Sequence, residues 1–578
     1  VNLIDALESL RTPAEQGTAR YAVHLASGFT PLHLQTFLSA HLRKALPLRS
    51  IEVTTGLYGD LKGNVRRLDG VGCDAIAVIV EWQDLDSRLG IRNLGGWLAK
   101  DLQEIVDSVK AEAQALDGAL RLVSRHAPTA ICLPTLPLPP LFSTAPGHSG
   151  EVELALRQIV AQFACSLAGE PGIRIVCGQE LDEKSPMCER FDAKSEILFG
   201  FPYEVNHASV IGEALASLIR PAAPKKGIVT DLDDTLWSGL VGESGSGGVS
   251  WHLEDGAHVH GLYQQFVASL ASTGVLVGIA SKNDALPVQE ALERKDILLK
   301  KESVYPIAAS WRAKSESVRE ILRVWNVAPD SVVFIDDSPL EVAEVKAAYP
   351  GMECIVFPKG DYQALWLLLR RLRGLFGKPL TSEEDRLRLK SIRDASGFRD
   401  SLGSDGRASD DFLATVKGSI TFSVKKSPTD RRSLELINKT NQFNLNGRRY
   451  TESEWLAEMA NPSTVLIGAN YQDKFGSLGK VGVLLGRKEA DTFFVERWVI
   501  SCRAFSRRIE YQMAAFVFES MGAGKIAFRY EATSRNKVLQ DFFKGLLGKE
   551  PLPEDLMLSR EAFHERCPAL FHQVSVDD

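Results

Sequence analysis

The sequence is poor in cysteine, and the few it has are not grouped. Cys73, Cys132, Cys165, Cys177, Cys188, Cys354, Cys502 and Cys567 are scattered over 578 residues with no CxxC spacing. That argues against a zinc site or a disulfide framework and sets the expectation of a reducing cytoplasm. Long apolar runs are lacking too, so no segment reads as a membrane span. The opening stretch VNLIDALESLRTPAEQG reads as an amphipathic helix, not as a secretory leader. Positive charge is in deficit: a formal net charge of -7 gives no general attraction to nucleic acid. Internal repeats and low-complexity tracts are absent. What remains is a soluble globular composition, 44% hydrophobic and 24% charged, on a chain long enough for three or four domains. The expected partner is a small anion held locally, or a protein.

Short apolar runs alternate with helical patterns over residues 1–220, which predicts a parallel α/β domain. Its candidate strands are YAVHLAS, SIEVTTG, AIAVIVE, TAICLPT and IRIVCG, and PAAPKK reads as a linker. A second α/β unit is expected over 225–375. Residues 376–411 read as a helical linker, with a charge-dense bridging helix in SEEDRLRLKSIRDASGFRDSL and a loop in GSDGRASDD. Over 412–578 the strands SITFSV, TVLIGANY, VGVLLGR and TFFVERWVI come consecutively, then the helix RRIEYQMAAFVFESMG and the strand KIAFRYE. Strands in series capped by a helix predict an α+β domain.

The stretch KKGIVTDLDDTLWSGLVGE carries the chemistry. Acidic residues after an apolar run can mark a turn or a helix cap. Here, however, Asp231 and Asp233 leave the C-terminal end of a buried parallel strand one residue apart, at the end where open α/β sheets bind ligands. Two carboxylates so close raise each other's pKa unless a cation or a divided acid/base role intervenes. Later strands of the same unit also end in polar groups: Ser281, Lys282 and Asn283 after one, Asp336, Asp337 and Ser338 after another, with Lys314 between them. This inventory suits phosphoryl transfer. Asp231 would attack phosphorus, and Asp233 would protonate the leaving oxygen and then activate water. Ser281, Asn283 and Lys314 would hold the phosphoryl oxygens, and Asp231, Asp233 and Asp336 would bind Mg²⁺. Asp337 and Glu341 read as supporting or helix N-terminal acids. The spans from Thr235 to Ser281 and on to Lys314 leave no room for a separate cap domain.

DxDxT, a strand-end serine, a lysine and a DD pair, in that order, resemble the four motifs of the haloacid dehalogenase (HAD) superfamily. With EEDRLR, INKTNQFNLNGRRYTESEW and SCRAFSRRIE downstream, residues 225–545 resemble the FkbH-like family. That resemblance implies a capless HAD phosphatase domain joined to a domain with an acetyltransferase-like (GNAT) fold. The activity it implies is bifunctional: glyceryl is taken from 1,3-bisphosphoglycerate, phosphate is removed, and glyceryl is loaded as a thioester onto an acyl carrier protein for polyketide or related biosynthesis. A stand-alone phosphatase on another small metabolite and a non-catalytic scaffold are the alternatives.

Cys502 matches the cysteine of the family's SCR motif and would carry the acyl group. Arg503, Arg507 and Arg508 beside it in sequence are expected to lower its pKa, although a lone cysteine is more often a small buried hydrophobe. Asn441, Gln442 and Asn444 could orient a hydroxylated acyl group, or serve as turn residues. Ser506 and Arg507 replace the usual glycines, so acetyl-CoA is not expected. The first 220 residues resemble the SGNH-hydrolase-like domain of longer family members. Ser27 and His207, with Glu204 three residues before it, occupy the places of a serine and a histidine. No oxyanion block accompanies them, so a degenerate docking domain is expected.

Overall fold

Five runs rich in Val, Ile and Ala pair in parallel near the start of the chain: β1 (Arg20–Ala26), β2 (Ser50–Thr55), β3 (Ala75–Ile79), β4 (Thr129–Cys132) and β5 (Ile173–Ile175), in the order β2-β1-β3-β4-β5. The sheet is covered on both faces, which is why its strands read as continuous apolar runs. Along β3, Ala75, Ala77 and Ile79 enter one core with Phe37 and Ile211, while Ile76 and Val78 enter the other with Ile105 and Leu120.

In this computed structural model every residue is described except 12–17, 142–146, 171, 379–384, 386–387, 391, 394–408, 549–555 and 578, and the side chain of Arg503. The chain divides into two compact units. The first is Val1–Ala222 with Ser427–Asp430 and Arg449–Pro462; the second is Ala223–Lys426, Arg431–Arg448 and Ser463–Asp578. The helix Glu452–Ala460, expected with the C-terminal strands, therefore belongs to the first unit. Its Ser453 hydroxyl donates to Asp74 at 3.4 Å, and its Glu454 pairs with Arg49 at 3.6 Å.

The second unit holds two sheets. One is parallel, in the order β10-β9-β6-β7-β8, from β6 (Gly227–Thr230), β7 (Leu276–Ser281), β8 (Ile307–Ala309), β9 (Val332–Asp336) and β10 (Glu353–Val356). Gly227 on β6 and Gly278 on β7 make room for one indole: a Cβ on either would come within 3 Å of Trp325. From Thr235 to Lys314 the chain forms only the bridge Ser238–Ser250, short helices, the helix His258–Ser272 and strands β7 and β8, so no cap domain interrupts it.

The other sheet has seven strands in the order β16-β15-β14-β13-β12-β11-β17. These are β11 (Ser419–Ser423), β12 (Val465–Asp473), β13 (Gly476–Glu489), β14 (Thr492–Ile500), β15 (Lys525–Phe528), β16 (Leu556–Ser559) and β17 (Gln573–Asp577). The helix Ile509–Glu519 shares a core with them through Met513, Phe516 and Val517. The expected bridging helix falls mostly outside the described residues. Asp410–Val416, expected as loop and strand approach, is a helix capped by Ser409.

Candidate active site

The sheet order explains how Asp231 is placed. β6 lies between β9 and β7, with Thr230 level with Ile335 on one side and Ile279 on the other. Asp231 is thereby next to Asp336 on one side, and on the other Ser281, one residue beyond the level of Asp231, brings its side chain to the same carboxylate. The backbone N–H of Asp231 donates to the Ile335 carbonyl at 2.9 Å, which fixes its height.

Lys314, the first residue of the helix Lys314–Trp325, reaches into this group and is only 1% exposed. Its ammonium lies 2.7 Å from Asp336 Oδ2, 2.8 Å from Asp231 Oδ1 and 3.0 Å from Glu341 Oε2. Asp336 Oδ1 accepts from the Ser338 N–H at 2.9 Å. Burial, then the Asp231 charge, pushes the Asp336 carboxyl up to about 7, and burial raises Asp231 as well. Burial opposes the Lys314 charge, yet Asp231 and Asp336 hold it firmly protonated. Burial would also raise Glu341, but the hydrogen bond from Lys282 at 2.7 Å and the Lys314 charge bring it below the ordinary range.

Oxygen atoms of Asp231, Asp336 and Glu341 lie within 4.8 Å of one another, close enough to share one ion. Two ammonium groups, Lys314 and Lys282, face these three carboxyl groups, so the cluster has a negative balance once all three are ionised. An all-oxygen donor set with excess negative charge fits a hard divalent cation. Glu341, and not the Asp233 carboxylate, lies in this group with Asp231 and Asp336. Asp233 is turned aside by three donors: Trp237 Nε1 at 2.8 Å and the Val241 N–H at 3.1 Å on Oδ1, and Asn283 Nδ2 at 3.0 Å on Oδ2. Asn283 also donates to Ser281 Oγ at 3.1 Å, so it links the acid to the strand-end hydroxyl. Asp337 faces away, toward Lys359 at 2.5 Å and the Thr235 hydroxyl at 3.3 Å.

Cys502 is half-buried and lies apart from this group. Its Sγ is 3.9 Å from the carbonyl of Asn326, the residue that ends the helix beginning at Lys314. Twelve helical residues span about 18 Å, so the thiol and the acidic cluster sit at opposite ends of that helix. Two of the arginines expected to lower its pKa are engaged elsewhere: Arg507 with Asp473 at 3.0 Å, both buried, and Arg508 with Asp410 and the Ala569 carbonyl. One cation coupled to the thiol is Lys226, pushed below its usual range by burial first and then by Lys439. The Arg503 side chain lies outside the described residues. Asn441 and Gln442 are exposed, while Asn444 is a buried turn residue that accepts from Asn446 and Gly447 N–H groups and donates to the Thr440 carbonyl.

In the first unit Ser27 and His207 do not meet as a nucleophile and base. Ser27 Oγ donates to the Phe29 carbonyl at 2.9 Å. His207 is fully buried, with Nε2 2.9 Å from Thr135 Oγ1 and Nδ1 2.8 Å from Ser185 Oγ. Thr135 in turn donates to Glu81 at 2.7 Å. Among the described residues no hydrogen bond joins Ser27 to His207.

No family model matches the chain, and no curated protein matches it. Among solved structures, the N-terminal part of the protein BF1531 from Bacteroides fragilis, containing a phosphatase domain complexed with Mg, is similar at 18% identity and a TM-score of 0.49, over 66% of this chain and 100% of that one. A protein described as a UDP-N-acetylglucosamine 2-epimerase from Listeria monocytogenes matches at 11% identity and a TM-score of 0.13, over 66% and 98%.

Proposed function

We propose that the second unit is a HAD-type, magnesium-dependent phosphatase and that the chain couples it to acyl transfer, moving glyceryl from 1,3-bisphosphoglycerate to an acyl carrier protein. The observation that carries the phosphatase is Asp231 held between Ser281 and Asp336 with Lys314 bridging the two acids. Asp231 attacks phosphorus and forms an acyl phosphate; the leaving oxygen takes its proton from Asp233, which then receives one from the water that releases phosphate. Ser281, Asn283 and Lys314 hold the phosphoryl oxygens. Asp231, Asp336 and Glu341 would hold Mg²⁺, which neutralises charge on the phosphoryl group when bound. Leu286, Trp311 and Leu340, each just beyond a strand end of the same sheet, are more than two-thirds exposed, which suits a protein-tethered substrate.

The acyl step rests on Cys502 and on the family resemblance. Incubation with an acyl-phosphate donor should add a glyceryl-sized mass to the wild-type protein, which a carrier's phosphopantetheine thiol then removes. In Cys502→Ala carrier loading should be lost while phosphate release from simple esters persists. Loading at the wild-type rate in that variant would exclude the cysteine. The placement of Cys502 at the far end of a helix about 18 Å long from the acids favours a second reading, a phosphatase that acts alone. Failure to load any carrier would select it.

A further inference from the structure

A cavity in the first unit belongs to none of the groups above. It encloses about 200 Å³ beyond the C-terminal ends of β3 and β4, the side of a parallel sheet where ligands collect. Trp82, Leu138, Pro139, Pro140, Phe191 and Pro202 form most of its wall. The wall is braced, since the Trp82 indole N–H donates to the Leu136 carbonyl at 3.0 Å. Cavities of about 150 Å³ accept benzene, so this one suits a molecule of roughly eight to ten non-hydrogen atoms.

The polar part of the wall is one-sided. Glu81, Gln83 and Glu196 line it, and among the described residues no lysine or arginine does, although Arg92 is ion-paired with Glu196. Glu81 is already satisfied by Thr135, Leu136 and Tyr203. Glu196, 1% exposed, is not: Oε1 accepts from Arg92 at 3.2 Å, and Oε2 is buried without a hydrogen-bond partner. A buried carboxylate oxygen left unpaired is costly, and a donor brought by a ligand removes that cost. We infer that this cavity binds a small apolar molecule ending in a hydrogen-bond donor, an ammonium or a hydroxyl, with Glu196 as the acceptor. A carboxylate ligand would set its own oxygens against the unpaired Glu196 Oε2 instead of a donor.

The full-length protein titrated with benzylamine, benzyl alcohol and benzoate, followed by ligand-observed NMR, tests this. The amine and the alcohol should bind, and benzoate at least tenfold more weakly. A preference for the amine assigns the selection to charge and equal binding assigns it to the hydrogen bond; both support a donor site. Glu196→Gln should weaken the amine at least tenfold, and Leu138→Trp, which fills the cavity, should abolish binding. Phosphate release in the second unit should be unchanged in both variants, and a wild-type near-UV circular dichroism spectrum and unfolding transition report that the first unit folds. Binding of neither donor, equal binding of benzoate, or wild-type affinity in either variant would overturn the assignment.

Discussion

Lys314 Nζ lies 2.7 Å from Asp336 Oδ2, inside a site where both groups are screened from water. Removing the ammonium leaves two carboxylates buried without their counter-ion. Lys314→Met should therefore lose about 3 kcal/mol of stability in metal-free buffer, in line with broken buried pairs, and at least a hundredfold in phosphate release. Magnesium should raise the melting temperature of the variant more than that of wild type, because it replaces part of the missing charge. Equal melting temperatures in EDTA would show that the cluster is not held together by this lysine.

Glu341 and Asp337 make a contrasting pair. Glu341 joins Asp231 and Asp336 within ligand distance, whereas Asp337 is committed to Lys359 and Thr235. Glu341→Gln is expected to raise the magnesium concentration for half-maximal phosphate release at least tenfold, and Asp337→Asn much less. A magnesium titration of the two variants side by side decides between Glu341 and Asp337 as the third acid.

The first unit should have an acid-sensitive limb set by His207. Burial first, then the Arg190 charge, lowers its pKa to about 3. The folded state thus keeps the ring neutral while the unfolded chain binds a proton below about 6.5, so stability is full above that pH and falls as pH drops toward about 3. Between pH 7.5 and pH 5 this residue should cost wild type about 2 kcal/mol, and His207→Gln should not show that loss. Denaturant unfolding at the two pH values measures the difference.

Much of the site could be read from the sequence because β6, β7 and β9 are apolar runs that stop at polar residues, and neighbouring parallel strands bring their ends together. Glu341 was harder to place: its contact depends on how the helix Pro339–Ala348 starts, one turn beyond the strand. β8 has only three half-buried residues and β17 is exposed throughout, so neither shows an apolar rhythm. The arginines near Cys502 mislead for a different reason. Adjacency along a chain says nothing about which carboxylate a long side chain reaches, and Asp473 and Asp410 claim two of them.

The claim on which the rest depends is that Asp231 is the nucleophile, and phosphate release by Asp231→Asn tests it most directly. The substitution is nearly isosteric and relieves repulsion with Asp336, so the variant should fold at least as well as wild type. With magnesium present and a simple phosphate ester as substrate, its phosphate release should fall by at least a thousandfold, since an amide is a poor nucleophile. A well-folded Asp231→Asn protein that releases phosphate at the wild-type rate would contradict the account.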